Sequence, residues 1–283
     1  MSRVGIVCDS TCDLGPEWLQ EHDVVMVPLK VHFGEDTYHD WVDLAPDEFY
    51  SRLAAAPKLP TTSQPSPAEF AAAYQKLADA GVEGIVSVHL TSALSGTFES
   101  ATLAAKDAPV PVHVVDTRSV TQATALALKA ALDARDAGSD AAAVAQAATD
   151  AARACRIFFV LDTLEFLVKG GRAGKAQGLA ASVLNIKPVL TFNADGIIEP
   201  FKKVKGLRKA LTEVAQHVAE DSRRGRVRLA LFHASAPELA DQLRAALDDA
   251  GADYEFDSTG FVGAVIGTYA GPGAVGLAYY PIG

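Results

Sequence analysis

The chain has 283 residues, 49% hydrophobic and 21% charged, and a formal charge of −10. That acidic balance (pI about 5.1) argues against a nucleic-acid binder, which carries a basic face, and against docking on anionic membranes, but leaves room for an apolar or acidic ligand in a local pocket. The opening "MSRVGIVCDS" runs straight into a strand-like stretch, no run reaches the length of a membrane span, and Cys8, Cys12 and Cys155 are too few and too odd in number for a disulfide framework; a cytoplasmic protein with free thiols and no signal peptide is expected.

In chain order, "VGIVCD", "VVMVPLKVHF", "IVSVHL" and "VHVVDT" read as strands, rich in Val and Ile and ending in polar residues. "SPAEFAAAYQKLADAG" reads as a helix with Ser66 as N-cap, Pro67 at its first position and Gly81 past its end. "TLAAKDA", "TALALKAALDARDAG" and, after the break at Gly138 and Ser139, "DAAAVAQAATDAARA" are further helices. This alternation predicts an α/β fold: a mostly parallel sheet with helices on both faces. Beyond Ala154, "RIFFVLD", "IKPVLTF", "GIIEPFKKV", "RVRLALFHA" and "GAVIGTY" read as strands with fewer helices between them, and "NADG" as a hairpin turn. A second, α+β domain is expected, with the chain divided into residues 1–155 and 156–283.

Several stretches could carry chemistry. "LPTTSQPSPAEF" holds Thr61, Thr62 and Ser63 on a stiff loop between prolines, aimed at a helix N-terminus. In "CDSTCD", Asp9, Ser10 and Thr11 are expected to cap and fix a turn; the Cys spacing fits neither a CxxC redox pair nor a zinc site. "HLTSALSGTFESA" ends a strand, passes through Thr91, Ser92, Ser95, Gly96 and Thr97, and starts a helix near Phe98. Its amides suit an anion, and Gly96 would let backbone approach one; a plain N-cap is the competing reading. The loop lacks the Lys of a triphosphate-binding loop and the G-x-S-x-G elbow of a hydrolase. "LVKGGRAGKAQG" reads as a phosphate site, a partner loop or a solvated turn. "GPGAVG" has the GxGxxG pattern without the required context and is expected to be a tight turn. His32, Asp36, His39 and Asp40 are read as a polar hairpin rather than a metal site, and His89, His113 and His233 as packed strand residues.

Taken together and in order, "VCDSTCDL", "PTTSQPSP", "HLTSALSGTFESA", "VVDTRSV", "LEFLVKGGRAG", "NIKPVL" and "GTYAGPGAVGL" resemble the motifs of the DegV family along essentially the whole chain. The resemblance implies one long-chain fatty acid, such as palmitate, held in a buried tunnel between an N-terminal α/β and a C-terminal α+β domain. It implies no metal or other cofactor, and a carrier role in which an ATP-dependent kinase subunit phosphorylates the presented acid. The family's carboxylate contacts fall on Thr62 and Ser95, with Ser63 and Gly96 as neighbours, while Thr61 and Ser63 hold the loop's own backbone. Arg172 falls near the carboxylate end, and Tyr269 stands where kinase-serving relatives often carry His in "GTHxGPG". The alternative is an enzyme, a phosphotransferase or hydrolase acting through the Ser/Thr loops on a small anionic substrate.

Overall fold

The computed structural model describes residues 3–179 and 186–282, without the side chain of Ile186. Asn185, the first residue of "NIKPVL", lies outside them.

β1 (Val4–Asp9) is buried along its full length and leads into a 3-10 turn at Ser10–Cys12 and α1 (Pro16–Glu21). The run "VVMVPLKVHF" is expected as one strand but divides at Pro28, which cannot donate to a ladder, into β2 (Val24–Val27) and β3 (Lys30–Phe33). β4 (Asp36–His39) completes a hairpin with β3. After α2 (Pro46–Ala55) the hydroxyl run, expected as a loop, forms a three-residue strand, β5 (Thr61–Ser63), that pairs antiparallel with β3. α3 (Pro67–Asp79) opens with a capping box in which Ser66 and Glu69 satisfy each other's backbone N–H groups. β6 (Gly84–His89), α4 (Thr97–Ala105), β7 (Val112–Asp116), α5 (Thr121–Asp136) and α6 (Ala141–Ala154) follow.

Strands β2, β1, β6 and β7 make a four-stranded, all-parallel sheet. Helices cover both its faces, as the alternating pattern predicts: Phe70, Tyr74, Ala101 and Ala104 of α3 and α4 pack on one face, and Leu128, Val144 and Ala148 of α5 and α6 on the other.

The remainder builds β8 (Arg156–Val160), α7 (Glu165–Lys169), a 3-10 turn at Gly174–Leu179, β9 (Ile186–Phe192) and β10 (Ile198–Lys205). Then come α8 (Leu207–Ser222), β11 (Val227–His233), α9 (Pro237–Asp249), β12 (Tyr254–Phe261), α10 (Ala264–Ala270) and β13 (Val275–Pro281). The mixed sheet runs β10-β9-β8-β13-β11-β12, in which only β11 and β12 pair in parallel.

"GAVIGTY" corrects an expectation: it is helical. Val265, Ile266 and Thr268 have β propensity, but tertiary contacts override it. Asp13 Oδ1 accepts the Gly263 amide at 2.9 Å and Asp40 Oδ1 accepts the Ala264 amide at 2.9 Å, so two carboxylates satisfy the free N–H groups that start α10. Asp40 is therefore not part of a solvated hairpin; it is 1% exposed. His32 and His39 do fit the hairpin reading, bonding Thr37 and Asp43.

The two sheets share one apolar interior. A cluster including Leu29, Leu90 and Leu126 from the first half and Phe159, Leu190, Phe232 and Val265 from the second is contiguous. Lys129 of α5 pairs with Asp257 of β12, and Arg228 of β11 bridges Asp257 and Asp133 of α5, tying the halves together away from that interior. Among the described residues no helix is long and apolar enough to cross a membrane.

Candidate functional site

A cavity of about 470 Å³ lies inside the shared core, between the segments that follow the carboxyl ends of β2, β6 and β7 and the face of the mixed sheet. That is within the range of small-ligand sites, and the carboxyl edge of a parallel sheet is where such ligands bind. Its walls are apolar: Leu29, Leu90, Phe159, Phe192, Phe232 and Val265 are typical. Thr62, Ser63, Gln64, Ser95, Gly96, Arg172 and Tyr269 all reach the lining, linked by contacts among them, and Ser92 and Thr121 add two further hydroxyls to it. The structure thus brings every residue singled out for the carboxylate end to one cavity.

Thr62 arrives on β5, whose register opposite Val31 is fixed by β3. Its Oγ1 lies 2.6 Å from the Tyr269 Oη. Ser63 does not hold the loop's backbone as expected; its Oγ meets His32 Nε2 at 2.8 Å. Ser95 sits just before α4. Its Oγ accepts the Thr97 amide at 3.4 Å and lies 2.8 Å from Thr97 Oγ1. The loop carrying Ser95 is held from below by Asp116, which accepts Ser92 Oγ at 2.6 Å and the Ser92 amide at 3.3 Å, and by the Ser119 carbonyl, which accepts the Thr91 amide.

Gly96 is a glycine for a reason other than backbone freedom. Its φ is an ordinary −76°. A Cβ there would stand 2.3 Å from Gln64 Oε1, so the absence of a side chain lets Gln64 lie across the loop. Gln64 Nε2 donates to the Gly96 carbonyl at 3.2 Å and to Ser100 Oγ at 3.0 Å. Nothing in the local sequence pattern marks Gln64; only the juxtaposition of two distant loops does.

Arg172 is aimed inward by the end of α7. The Gly171 amide bonds the Val168 carbonyl and the Arg172 amide bonds the Leu167 carbonyl, with Gly171 at φ 72°: a Schellman turn that needs a residue tolerant of the left-handed region. Arg172 then donates to the Gly170 carbonyl at 2.8 Å and its guanidinium stacks 4.9 Å from the centre of the Tyr269 ring. The first glycine of this pair has a different task, since a Cβ at Gly170 would fall 2.4 Å from that ring. Among the described residues no carboxylate pairs with Arg172, whereas Lys169 pairs with Glu165 and Lys175 with Glu199 on the surface. "LVKGGRAGKAQG" therefore splits into one cavity arginine and two solvated lysines. "GPGAVG" is the tight turn expected, with Gly271 and Gly273 at φ 69° and 78°, and it leads into β13.

Asp9 fixes the base of the site. It accepts the Thr11 amide at 2.9 Å, the Leu90 amide at 3.0 Å, and contacts His89 Nδ1 at 3.0 Å; His89 in turn meets Ser87 at 2.7 Å. His89 is fully buried and packed, as expected. Below α10, Asp13 and Asp40 are 3% and 1% exposed, and each leaves one carboxylate oxygen without a partner. Burial raises Asp13 well above the usual carboxylate range, with the nearby Asp40 charge adding to it, and burial lifts Asp40 to about 7. Among the described residues no group of three or more His, Cys, Asp or Glu side chains is placed to hold a metal.

Three comparisons bear on this site. A family model described as "Uncharacterised protein, DegV family" matches residues 3–282. A DegV domain-containing protein of Streptomyces coelicolor is 37% identical over 278 residues, covering 98% of each chain. Two solved structures align over nearly the whole length. One, a DegV family protein from Thermus thermophilus described by its fatty-acid binding, has a TM-score of 0.92 at 32% identity, covering 99% of this chain and 100% of that one. The other, described as a stearic-acid-binding protein from Eubacterium ventriosum, has a TM-score of 0.85 at 29% identity, covering 99% and 98%. With the same fold, the same motifs in order and a model match across all but its ends, the chain belongs to the DegV family.

Proposed function

We propose that this protein binds one long-chain fatty acid in a tunnel between units 1–155 and 156–283, and presents its carboxylate to an ATP-dependent kinase subunit for acyl phosphate formation. The observation that carries the reading is the cavity itself: largely apolar walls, with Thr62, Tyr269 and Arg172 in mutual contact in its lining and Ser95 lining it as well. Burying the roughly 14 methylenes of palmitate gains on the order of 11 kcal/mol, at about 0.8 per CH₂, before ordering costs. An unpaired carboxylate would cancel much of that, so the lining has to supply donors.

It holds enough of them. With Tyr269 donating to Thr62 across their 2.6 Å contact, the Thr62 proton is left for one carboxylate oxygen. If Thr97 donates to Ser95 across 2.8 Å, the Ser95 proton is likewise free for the other. The amides at the start of α4 and the charge of Arg172 favour the anion. Bound in this way, the head group lies at the rim, beside half-buried Thr62, Ser95 and Arg172, where a partner can reach it. The carrier has no chemical step of its own. The role fits a protein of the bacterial cytoplasm.

The test is a competition between the free acid and its methyl ester, which has the same chain without the charge. The acid should displace a fluorescent fatty acid at concentrations at least tenfold lower than the ester, since hydrogen bonds to a charged group are worth about 1.5–3 kcal/mol each. Equal competition would remove the carboxylate clamp.

One observation favours the second reading, a hydrolase. Ser63 Oγ and His32 Nε2 lie 2.8 Å apart at the cavity wall, the spacing of a nucleophile and its base. The other His32 nitrogen meets Thr37 Oγ1 at 2.9 Å, a neutral group that does not stabilise an imidazolium as a carboxylate would. The carrier reading uses more of the site.

A further inference from the structure

We propose that a second cleft, lined from both halves of the chain and separate from the apolar cavity, binds a nucleoside phosphate, with arginines on the phosphates and Phe201 stacked on the base. The proposal goes beyond the fatty-acid reading and does not depend on it.

The cleft has a volume of about 620 Å³, within the range that small ligands use. In it the segment after β7 and the end of α6 face β8, the β9–β10 hairpin and His217 of α8. Ile157 and Phe192 reach both linings, so the cleft is a neighbour of the apolar cavity.

On a chain with a formal charge of −10 this lining is basic: Arg118, Arg153 and Arg156 against Asp116 alone. Asp116 is already engaged, accepting from Ser92 and from the Arg118 amide. Arg156 is paired with Asp221 at 2.9 Å and lies 3.3 Å from His217 Nε2. The other two charges are not neutralised. The Arg118 guanidinium donates to the Ala194 carbonyl at 2.7 Å, and its backbone is held in the left-handed region at φ 52°. Arg153 is exposed in the last turn of α6 and has no partner among the described residues. Two guanidinium groups without carboxylates in one cleft suit a ligand with several negative charges, and phosphate oxygens match the guanidinium fork.

The second half of the site is aromatic. The β9–β10 ladder shifts register between Pro200 and Lys202 and leaves Phe201 out of the pairing, a bulge that re-aims a side chain. Phe201 is 40% exposed. Its ring rests on Phe158 and His217, with centres 4.7 and 4.9 Å away, which fix it while leaving it open to a flat partner. An aromatic platform beside uncompensated arginines is the pairing that takes a base and its phosphates.

Equilibrium dialysis of the full chain against ADP, pyrophosphate and adenosine separates charge from ring. ADP should bind most tightly and adenosine, which has no charge, most weakly. Arg153→Ala should weaken both ADP and pyrophosphate by about tenfold, as for a lost hydrogen bond to a charged group. Phe201→Ala should weaken ADP by about tenfold and leave pyrophosphate unchanged, since only the base stacks. Phe201→Leu, which keeps bulk in the bulge without a ring, should behave as Phe201→Ala. Neither Arg153 nor Phe201 lines the apolar cavity, so fatty-acid affinity should stay at the wild-type value in all three variants. Pyrophosphate binding as tightly as ADP would overturn the proposal, as would ADP binding that ignores these substitutions. So would no ADP binding at millimolar concentration, including the case in which this face instead holds an acidic protein through Arg153.

Discussion

Removing one oxygen at the rim tests the proposed clamp most sharply. Tyr269→Phe keeps the ring, so its packing against Gly170 and its stacking with Arg172 4.9 Å away are retained. What is lost is the 2.6 Å contact with Thr62. Without that donor, the Thr62 hydroxyl loses the partner that orients its proton toward the ligand. One neutral, partly buried hydrogen bond is worth about 0.5–1.5 kcal/mol, which corresponds to roughly two- to tenfold weaker acid binding. Tyr269→His supplies a ring N–H donor from the same position, with a shorter reach, and should retain binding. The assay is a fluorescent-acid titration of the three proteins side by side, with thermal unfolding as a control for the fold. Tyr269→Phe binding as tightly as wild type would refute the reasoning, because the contact would then be a packing feature with no bearing on the head group.

Two further outcomes are expected. Ser95→Ala removes a hydrogen bond to a charged group, worth about 1.5–3 kcal/mol, and should weaken binding roughly ten- to a hundredfold with the melting temperature little changed; unchanged affinity takes Ser95 out of the site. Asp40, lifted by burial to about 7, holds its proton more tightly folded than unfolded. Its contribution to stability is therefore complete below about pH 4 and lost as pH rises through 7, on the order of 4 kcal/mol at most. Asp40→Asn should flatten this part of the pH dependence in urea unfolding at pH 5 and 8, and a difference from wild type that does not change with pH would contradict it.

Much of this architecture is legible in the sequence because local chemistry and tertiary structure agree. The Ser66 cap, the first-turn Pro67 and Gly81 at φ 83° mark α3 at both ends, and the Val- and Ile-rich runs of β1 and β6 are buried along their length as a parallel sheet requires. The Thr91–Thr97 loop is legible as polar punctuation at a strand end, whereas the Thr61–Ser63 run is a strand only because β3 lies beside it to pair with. α10 is not legible, because its start is stabilised by Asp13 and Asp40, more than 200 residues away in the chain. β12 and β13 are similarly hidden. "YEFDSTGF" alternates poorly, and β13 follows a glycine-rich turn that carries the local signal. Gln64 is invisible for the same reason as α10: its meaning lies in Gly96 and Ser100, 32 and 36 positions on.

The most direct test of the fatty-acid account is to extract purified protein with organic solvent and quantify the extract by mass spectrometry against protein concentration. Protein made in a bacterial host and never exposed to added lipid should carry close to one equivalent of C16–C18 fatty acid per chain, and the delipidated protein should take up one equivalent again. An extract without fatty acid, from protein that also fails to bind added palmitate or oleate, would contradict it.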